Sequence, residues 1–328
     1  MQLRRWQPTT STRAKRRHRQ SYPNLAGPTR CVFMTLLLRA LALACLAVVL
    51  VTTAPAAVTV RDDLGRSITL AHAPLRIVSL APGATEMLFA AGAGGHVIAT
   101  VEYSDDPPAA RLLPRIGDAA AIDVERLIAL HADIVVVWPK GGNPAQIAQV
   151  ERMGLPVYRE QVDAFSEFAG SLRRLGELAG TRAVAERAAR DLEARLAELT
   201  RRYGGGAPVT ALLEIWDRPI YTVGGRHLMS DALRICGARN IFGDLNDAAP
   251  VVDVEAVIAR NPDMIIAAAP PQAASAWLDE WKLFGALQAV RTGRLIPFED
   301  QRLSGLGPSA LVATASLCQL IDAKRTQP

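Results

Sequence analysis

Apolar residues fall along this chain in two rhythms. Short β-branched runs, RIVSL (76–80), HVIATVE (96–102), DIVVVW (133–138) and a fainter LPVY (155–158), alternate with stretches whose apolar positions recur every three or four residues. Strand-length runs alternating with amphipathic helices predict a mostly parallel α/β sheet. A hairpin precedes them, with VTV and SITL flanking the turn DDLGR. After residue 207 the order restarts with PVTALLEIW, a helix near LMSDALRICG, then DVEAVIARNPDMIIAA and GRLIPFED; ATEMLFAAG (84–92) and SDALRICG (230–237) occupy corresponding places. The strongest sign of duplication is IDVERLIALHADIVVVW at 122–138, which returns about 130 positions later as VDVEAVIARNPDMIIAA at 252–268. Two copies of one unit predict two similar lobes.

In each copy an Asp (Asp123, Asp253) stands where a helix N-cap belongs and a Glu (Glu125, Glu255) follows two residues on. A carboxylate in the first helical turn interacts with the helix dipole for about 0.3–1 kcal/mol, which would account for either glutamate alone. Taken together, two exposed carboxylates at equivalent points on two lobes form a pair of handles for a partner with two basic pockets. Between the halves lies TRAVAERAARDLEARLAELTRRYGGG, rich in helix formers and free of Gly and Pro until its end. It predicts one unbroken linking helix within 179–203, about 34 Å long at 1.5 Å per residue. Ala188, Leu192, Leu196 and Leu199 form its apolar stripe, and Gly204 to Gly206 stop it. The expected division is a first lobe over 57–178 and a second over 204–328.

The first 56 residues read as a targeting segment. They are basic, run into the apolar stretch Leu41 to Val51 and end at the small-residue site Ala54-Pro55-Ala56, the order of a cleaved secretory signal peptide. Met34 offers an alternative start, and Cys45 a less favoured lipid anchor because no Leu lies three residues before it. The full chain carries a net charge of +5, but this segment holds nine Lys and Arg and no acid, leaving 28 basic against 32 acidic residues. Nucleic-acid binding thereby loses its electrostatic support. Of four cysteines, only Cys236 and Cys318 lie beyond the segment. In an oxidising compartment that pair favours one disulfide over two buried free thiols.

Ligands of open parallel sheets bind beyond the carboxyl ends of the strands. Tyr103 follows HVIATVE, Trp138 follows IVVV, Trp216 follows ALLEI and Asp300 follows RLIPFE. These four are the candidate ligand residues, expected to meet in a cleft between the lobes. Trp277 and Trp281, four apart on one helix, read as packing residues. No G-x-S-x-G, P-loop, H-E-x-x-H or strand-following G-x-G-x-x-G occurs, and GAGG at 92–95 reads as a helix C-cap and turn. His72, His96, His131 and His227 are scattered. The pattern therefore points to neither a catalytic constellation nor a histidine metal site.

RIVSLAPGATEMLFAAG, VEYSDDPP, IDVERLIALHADIVVVWPKGGN, RICGARNIF and the DVE repeat resemble the periplasmic substrate-binding proteins of ABC importers for cobalamin, haem and ferric siderophores, the cobalamin binders most. The resemblance spans most of residues 74–322. It implies an α/β fold of two Rossmann-like lobes with mostly parallel sheets joined by one long α-helix, the class III periplasmic binding protein architecture. It implies a monomer without a cofactor that carries cobalamin, or a related corrinoid, in its cleft as cargo. Glu125 and Glu255 match the docking glutamates that meet arginines of the transporter permease, Tyr103, Trp138, Trp216 and Asp300 match pocket positions, and Cys236 with Cys318 matches the family's disulfide. Two departures bear on the ligand: GDAAAID replaces a Trp before the first docking helix, and Ala249 stands where a second Trp precedes Pro250. Haem or a ferric siderophore is accordingly the alternative cargo. A more distant alternative is an exported two-lobed enzyme with Asp300 or Glu214 as general base, and another a ligand-gated signalling module.

Overall fold

The computed structural model describes residues 57–118 and 121–325; the expected targeting segment lies outside them. The described residues form one compact unit. It opens with the expected hairpin, β1 (Val58–Arg61) antiparallel to β2 (Ser67–Leu70), in which Val60, Ile68 and Leu70 face inward. Asp62 builds the turn by accepting from the Leu64 N–H at 3.0 Å and the Arg66 N–H at 2.8 Å. Its neighbour Asp63 fastens the hairpin to the first lobe. The Asp63 side chain is 1 % exposed. It accepts from Tyr158 Oη at 2.9 Å, Gln161 N at 3.0 Å, Ser171 Oγ at 2.7 Å and Arg174 Nε at 2.8 Å.

Each lobe is built on a four-stranded, all-parallel sheet. In the first, β3 (Ile77–Ser79), β4 (Val97–Ala99), β5 (Ile134–Val137) and β6 (Val157–Arg159) lie in the order β4-β3-β5-β6. In the second, β7 (Val209–Glu214), β10 (Ala238–Asn240), β12 (Met264–Ala268) and β13 (Leu295–Phe298) lie in the order β10-β7-β12-β13. Second, first, third, fourth is thus the spatial order in both. Between them the second lobe inserts a small antiparallel sheet of β8 (Trp216–Asp217), β9 (Ile220–Tyr221) and β11 (Val251–Val252). Helices cover both faces of each main sheet, which is why IVVV of β5 and MIIAA of β12 are buried throughout rather than alternating.

The repeated sequence segment forms the same structure twice. Helix α2 (Val124–Ala129) and helix α7 (Val254–Arg260) each precede the third strand of their lobe. Asp123 caps the first by accepting from Arg126 N at 2.9 Å, and Asp253 the second from Ala256 N at 2.7 Å. His131 and Asn261, at matching places, both adopt positive φ just after their helix. A further pair lies in the repeat. Asp133 accepts from Arg76 N at 2.9 Å ahead of β3, and Asp263 from Thr210 N at 2.8 Å in β7, so in each lobe the third strand's entry is pinned to the first strand's start.

The linking helix, α5, runs Arg182–Tyr203, three residues shorter at its start than the sequence reading, because α4 (Phe168–Leu178) continues to its edge and Gly180, at φ +73°, turns the chain between them. Helices α4 and α5 approach so closely that a Cβ on Gly176 would lie 2.2 Å from that of Ala185. Arg173 bridges the pair through Glu186 at 2.7 Å and Glu193 at 2.8 Å, and these carboxylates hold its guanidinium pKa above the ordinary value. At the other end, Gly204 is right-handed and caps without a left-handed turn. Helix α6 (Leu228–Ile235) is joined to the last helix, α10 (Ala310–Arg325), by the Cys236–Cys318 disulfide, 82 residues apart in sequence.

The dense acceptor role of Asp63 makes a clear prediction. Asp63→Ala removes the acceptor shared by the buried Tyr158 and Ser171 hydroxyls and the partly exposed Arg174, and should destabilise the protein by about 3 kcal/mol, measured by urea unfolding. An effect below about 1 kcal/mol would mean the hairpin is not held through this carboxylate.

Candidate functional site

The two lobes meet where the carboxyl ends of their sheets face one another. After β3 the chain enters helix α1 (Pro82–Ala90), whose Gly83 lies against the backbone that follows β13. A Cβ on Gly83 would come within 2.7 Å of Leu306 O and 2.8 Å of Gly305 O. Three residues on, buried Glu86 reaches across and accepts from Ser309 N at 3.0 Å. Burial, helped by Asp106, raises the Glu86 pKa, although the Ser309 hydrogen bonds oppose the shift. A second crossing is made where Phe165 N donates to Asp231 Oδ2 at 2.8 Å and Lys140 Nζ, paired with Asp163 at 2.6 Å, donates to Arg226 O at 3.3 Å.

A small, partly open cavity of about 70 Å³ lies at this junction, between Ala81 to Ala84, Trp138, Glu160 and Val162 of the first lobe and Ser304 to Leu306 of the second. Trp138 follows β5 and folds back over its own loop. That fold needs Gly141, since a Cβ there would lie 1.9 Å from the indole ring. Glu160, the residue after β6, is 3 % exposed and its Oε1 has no hydrogen-bond partner. Burial pushes its pKa well above the carboxylate range; Asp63 and Asp163 add to the shift and Arg174 opposes it. An unpaired buried polar atom costs about 1–3 kcal/mol, so such a group marks a place where stability has been given up.

The other expected ligand residues lie at the same edges. Tyr103 sits beyond β4, 82 % exposed, with φ +64°. A left-handed backbone on a bulky residue is strained. Here the turn is held from below by a buried chain of hydroxyls, Ser79 to Thr85 to Thr100 to Ser104, each link 2.8 Å. Trp216, 57 % exposed in β8, packs edge-on against Trp277 with ring centroids 6.3 Å apart. Asp300 is drawn into a fork with Arg302, at 2.8 Å from Nε and 2.6 Å from Nη2, and this lowers its pKa. Of the four, then, Trp138 lines the cavity, Tyr103 and Trp216 are open to solvent, and Asp300 is already paired.

The glutamates of the repeat, Glu125 and Glu255, are exposed in the first turns of α2 and α7. Glu255 borders a groove of about 480 Å³ together with Trp277, Trp281 and Glu214. The two tryptophans are 7 % and 3 % exposed, as their spacing predicts, and Trp281 Nε1 donates to Glu214 Oε2 at 2.8 Å. Burial, reinforced by Asp217 and Glu280, carries the Glu214 pKa up to about 7 in spite of that bond. His227 proves to be the N-cap of α6, its Nδ1 accepting from Met229 N, and burial brings its pKa down to about 4. Sequence reasoning missed Glu160 and Asp133/Asp263. The rule that found Trp138, a residue just past a strand's carboxyl end, applies equally to Glu160, but VYR was the faintest strand.

The chain matches the model of a family described as periplasmic binding protein over residues 77–301. It is 32 % identical over 255 residues to the vitamin B12-binding protein of Photorhabdus laumondii, covering 77 % of this chain and 90 % of that one. The crystal structure of the periplasmic vitamin B12-binding protein BtuF of Vibrio cholerae superposes with a TM-score of 0.72 at 30 % identity, over 78 % of this chain and 99 % of that one. The periplasmic haem-binding protein RhuT of Roseiflexus sp. RS-1 shares the fold, with a TM-score of 0.65 at 23 % identity over 76 % and 99 % of the two chains.

The raised Glu214 pKa predicts a pH effect with a definite sign. The folded state holds this proton more tightly than the unfolded chain, whose value is near 4.5. The resulting stability is therefore complete below about pH 4.5 and is lost as pH rises through about 7, by roughly 3 kcal/mol at most. Urea unfolding at pH 5 and pH 8 should show Glu214→Gln losing less stability between the two than the wild type. Equal losses would mean that Glu214 ionises normally.

Proposed function

Because this chain belongs to the periplasmic binding protein family, we propose that it is a non-catalytic receptor that captures cobalamin between its lobes and delivers it to an ABC transporter. The observation that carries the reading is the interlobe junction, where the carboxyl ends of both parallel sheets face one site with Trp138 in its wall. Its likeness to vitamin B12-binding relatives over nine-tenths of their length supports cobalamin as the cargo. Tyr103 and Trp216 present aromatic surface on the two lobes that a large flat ligand can cover, and burial of that surface supplies most of the affinity. Asp300, fixed by Arg302, offers an oriented acceptor for ligand N–H groups.

In the same reading Glu125 and Glu255 grip basic pockets of the permease. Their identical positions on duplicated helices support this, because a partner with matched sites can engage both at once. Residues 1–56 serve to export the protein and are removed. The single helix between lobes limits opening to a small hinge motion, and the cavity of about 70 Å³ at the junction must widen through that motion to admit the ligand.

Titration of the purified protein with cyanocobalamin, followed by tryptophan fluorescence and calorimetry, should show one-to-one binding at sub-micromolar concentration. Trp138→Ala and Trp216→Ala should each weaken it about tenfold, about 1.4 kcal/mol. Failure of the folded wild type to bind, with saturable binding of haemin instead, would replace cobalamin by haem. Reversing both charges, Glu125→Lys with Glu255→Lys, should leave cyanocobalamin affinity within about twofold and reduce cellular uptake at least tenfold. Normal uptake by the double variant would remove the docking role.

A further inference from the structure

Within the corrinoid reading, one group is not accounted for by any role described so far. Glu160 is buried at the lobe junction, 3 % exposed, lines the small cavity there, and its occluded Oε1 has no partner. Its neighbours do not use it. Asp63 is saturated by four donors, Arg174 is committed to Asp63, and Asp163 is paired with Lys140. The cavity it lines has room for a few water-sized atoms, too little for a macrocycle but enough for the end of one short side arm. The opposite wall comes from the second lobe, Ser304 to Leu306, and Leu306 is held at φ +56°. Strained backbone and an unpaired polar group thus meet at one point of the interlobe surface.

We propose that Glu160 is a ligand-contacting, specificity-determining residue, whose carboxyl pairs through two hydrogen bonds with one carboxamide arm of the bound corrinoid, seated between Trp138 and Ser304. The pairing is complementary. A protonated carboxyl donates through O–H and accepts through its carbonyl oxygen, while a primary amide accepts and donates in return. Burial displaces the Glu160 pKa upward, which favours the form that can do this. Haem differs from a corrinoid here, because its arms end in ionised carboxylates. Such a group has no N–H to donate to the Glu160 carbonyl oxygen and would bring a negative charge near Asp63 and Asp163, whose cationic partners are already engaged. The residue therefore favours amide-bearing ligands over carboxylate-bearing ones.

Two variants at one position test this. Glu160→Gln keeps a donor and an acceptor; Glu160→Leu fills similar space with neither. By calorimetry, Glu160→Gln should bind cyanocobalamin within about threefold of wild type, and Glu160→Leu at least tenfold more weakly. Without ligand, the melting midpoint of Glu160→Leu should rise by about 2–4 °C, since a buried unpaired carboxyl is removed. Weaker binding by a more stable protein is the signature that a merely structural residue would not produce. Unchanged binding by Glu160→Leu, equal weakening by both variants, or a lowered melting midpoint would overturn the assignment while the wild type still binds. A folded wild type that binds no cyanocobalamin would overturn the corrinoid reading itself, and this assignment with it.

Discussion

Two parallel sheets can turn their carboxyl ends toward one ligand only if the loops at those ends come close without filling the space between them. Here that constraint is met at Gly83, whose missing side chain lets α1 lie against the backbone of Leu306 and Gly305. The hydrogen bond from Ser309 N to Glu86 then ties the lobes one helical turn further on. Any side chain at Gly83 would wedge the lobes apart and open the cavity that holds Trp138 and Glu160. The close approach of the lobes and the small size of the cavity between them both descend from this contact.

Within each lobe the same economy of parts appears twice. An Asp caps the helix before the third strand, and another Asp pins that strand's entry to the first strand, at 133 and again at 263. Strands are thereby kept in register, so that the residues just past their ends emerge along one edge. Side chains at that edge are supported from behind: the hydroxyl chain from Ser79 to Ser104 carries the strained turn of Tyr103, and Gly141 admits the indole of Trp138. Glu86, Glu160 and Glu214, three buried carboxyls with raised pKa values, lie at the junction or in the groove that Glu255 of α7 borders.

Much of the architecture was legible in the residues. The alternation of β-branched runs with amphipathic stretches, the repeat at 122–138 and 252–268, and the helix former-rich segment before Gly204 each correspond to a structural element. Tyr103, Trp138, Trp216 and Asp300 were placed at strand ends by the order of the elements alone. The differences are local. The start of the linking helix was displaced because α4 is continuous to Leu178 and Gly180 makes the turn, and the small sheet around β9 has strands of two residues, too short for any periodicity.

Sequence by itself determined the class of fold, the duplication, the capping of the repeated helices and the candidates at strand ends, because each depends on neighbours within one or two turns of the chain. Tertiary structure alone decided which candidates share a site. It brought Glu160 beside Ser304 and Glu86 beside Ser309, pairs 144 and 223 residues apart, and it committed Asp300 to Arg302. Burial, and with it the raised pKa of Glu160 and Glu214, is set by which distant elements close around a residue. No local pattern records that, since the same glutamate at the surface would be an ordinary charge.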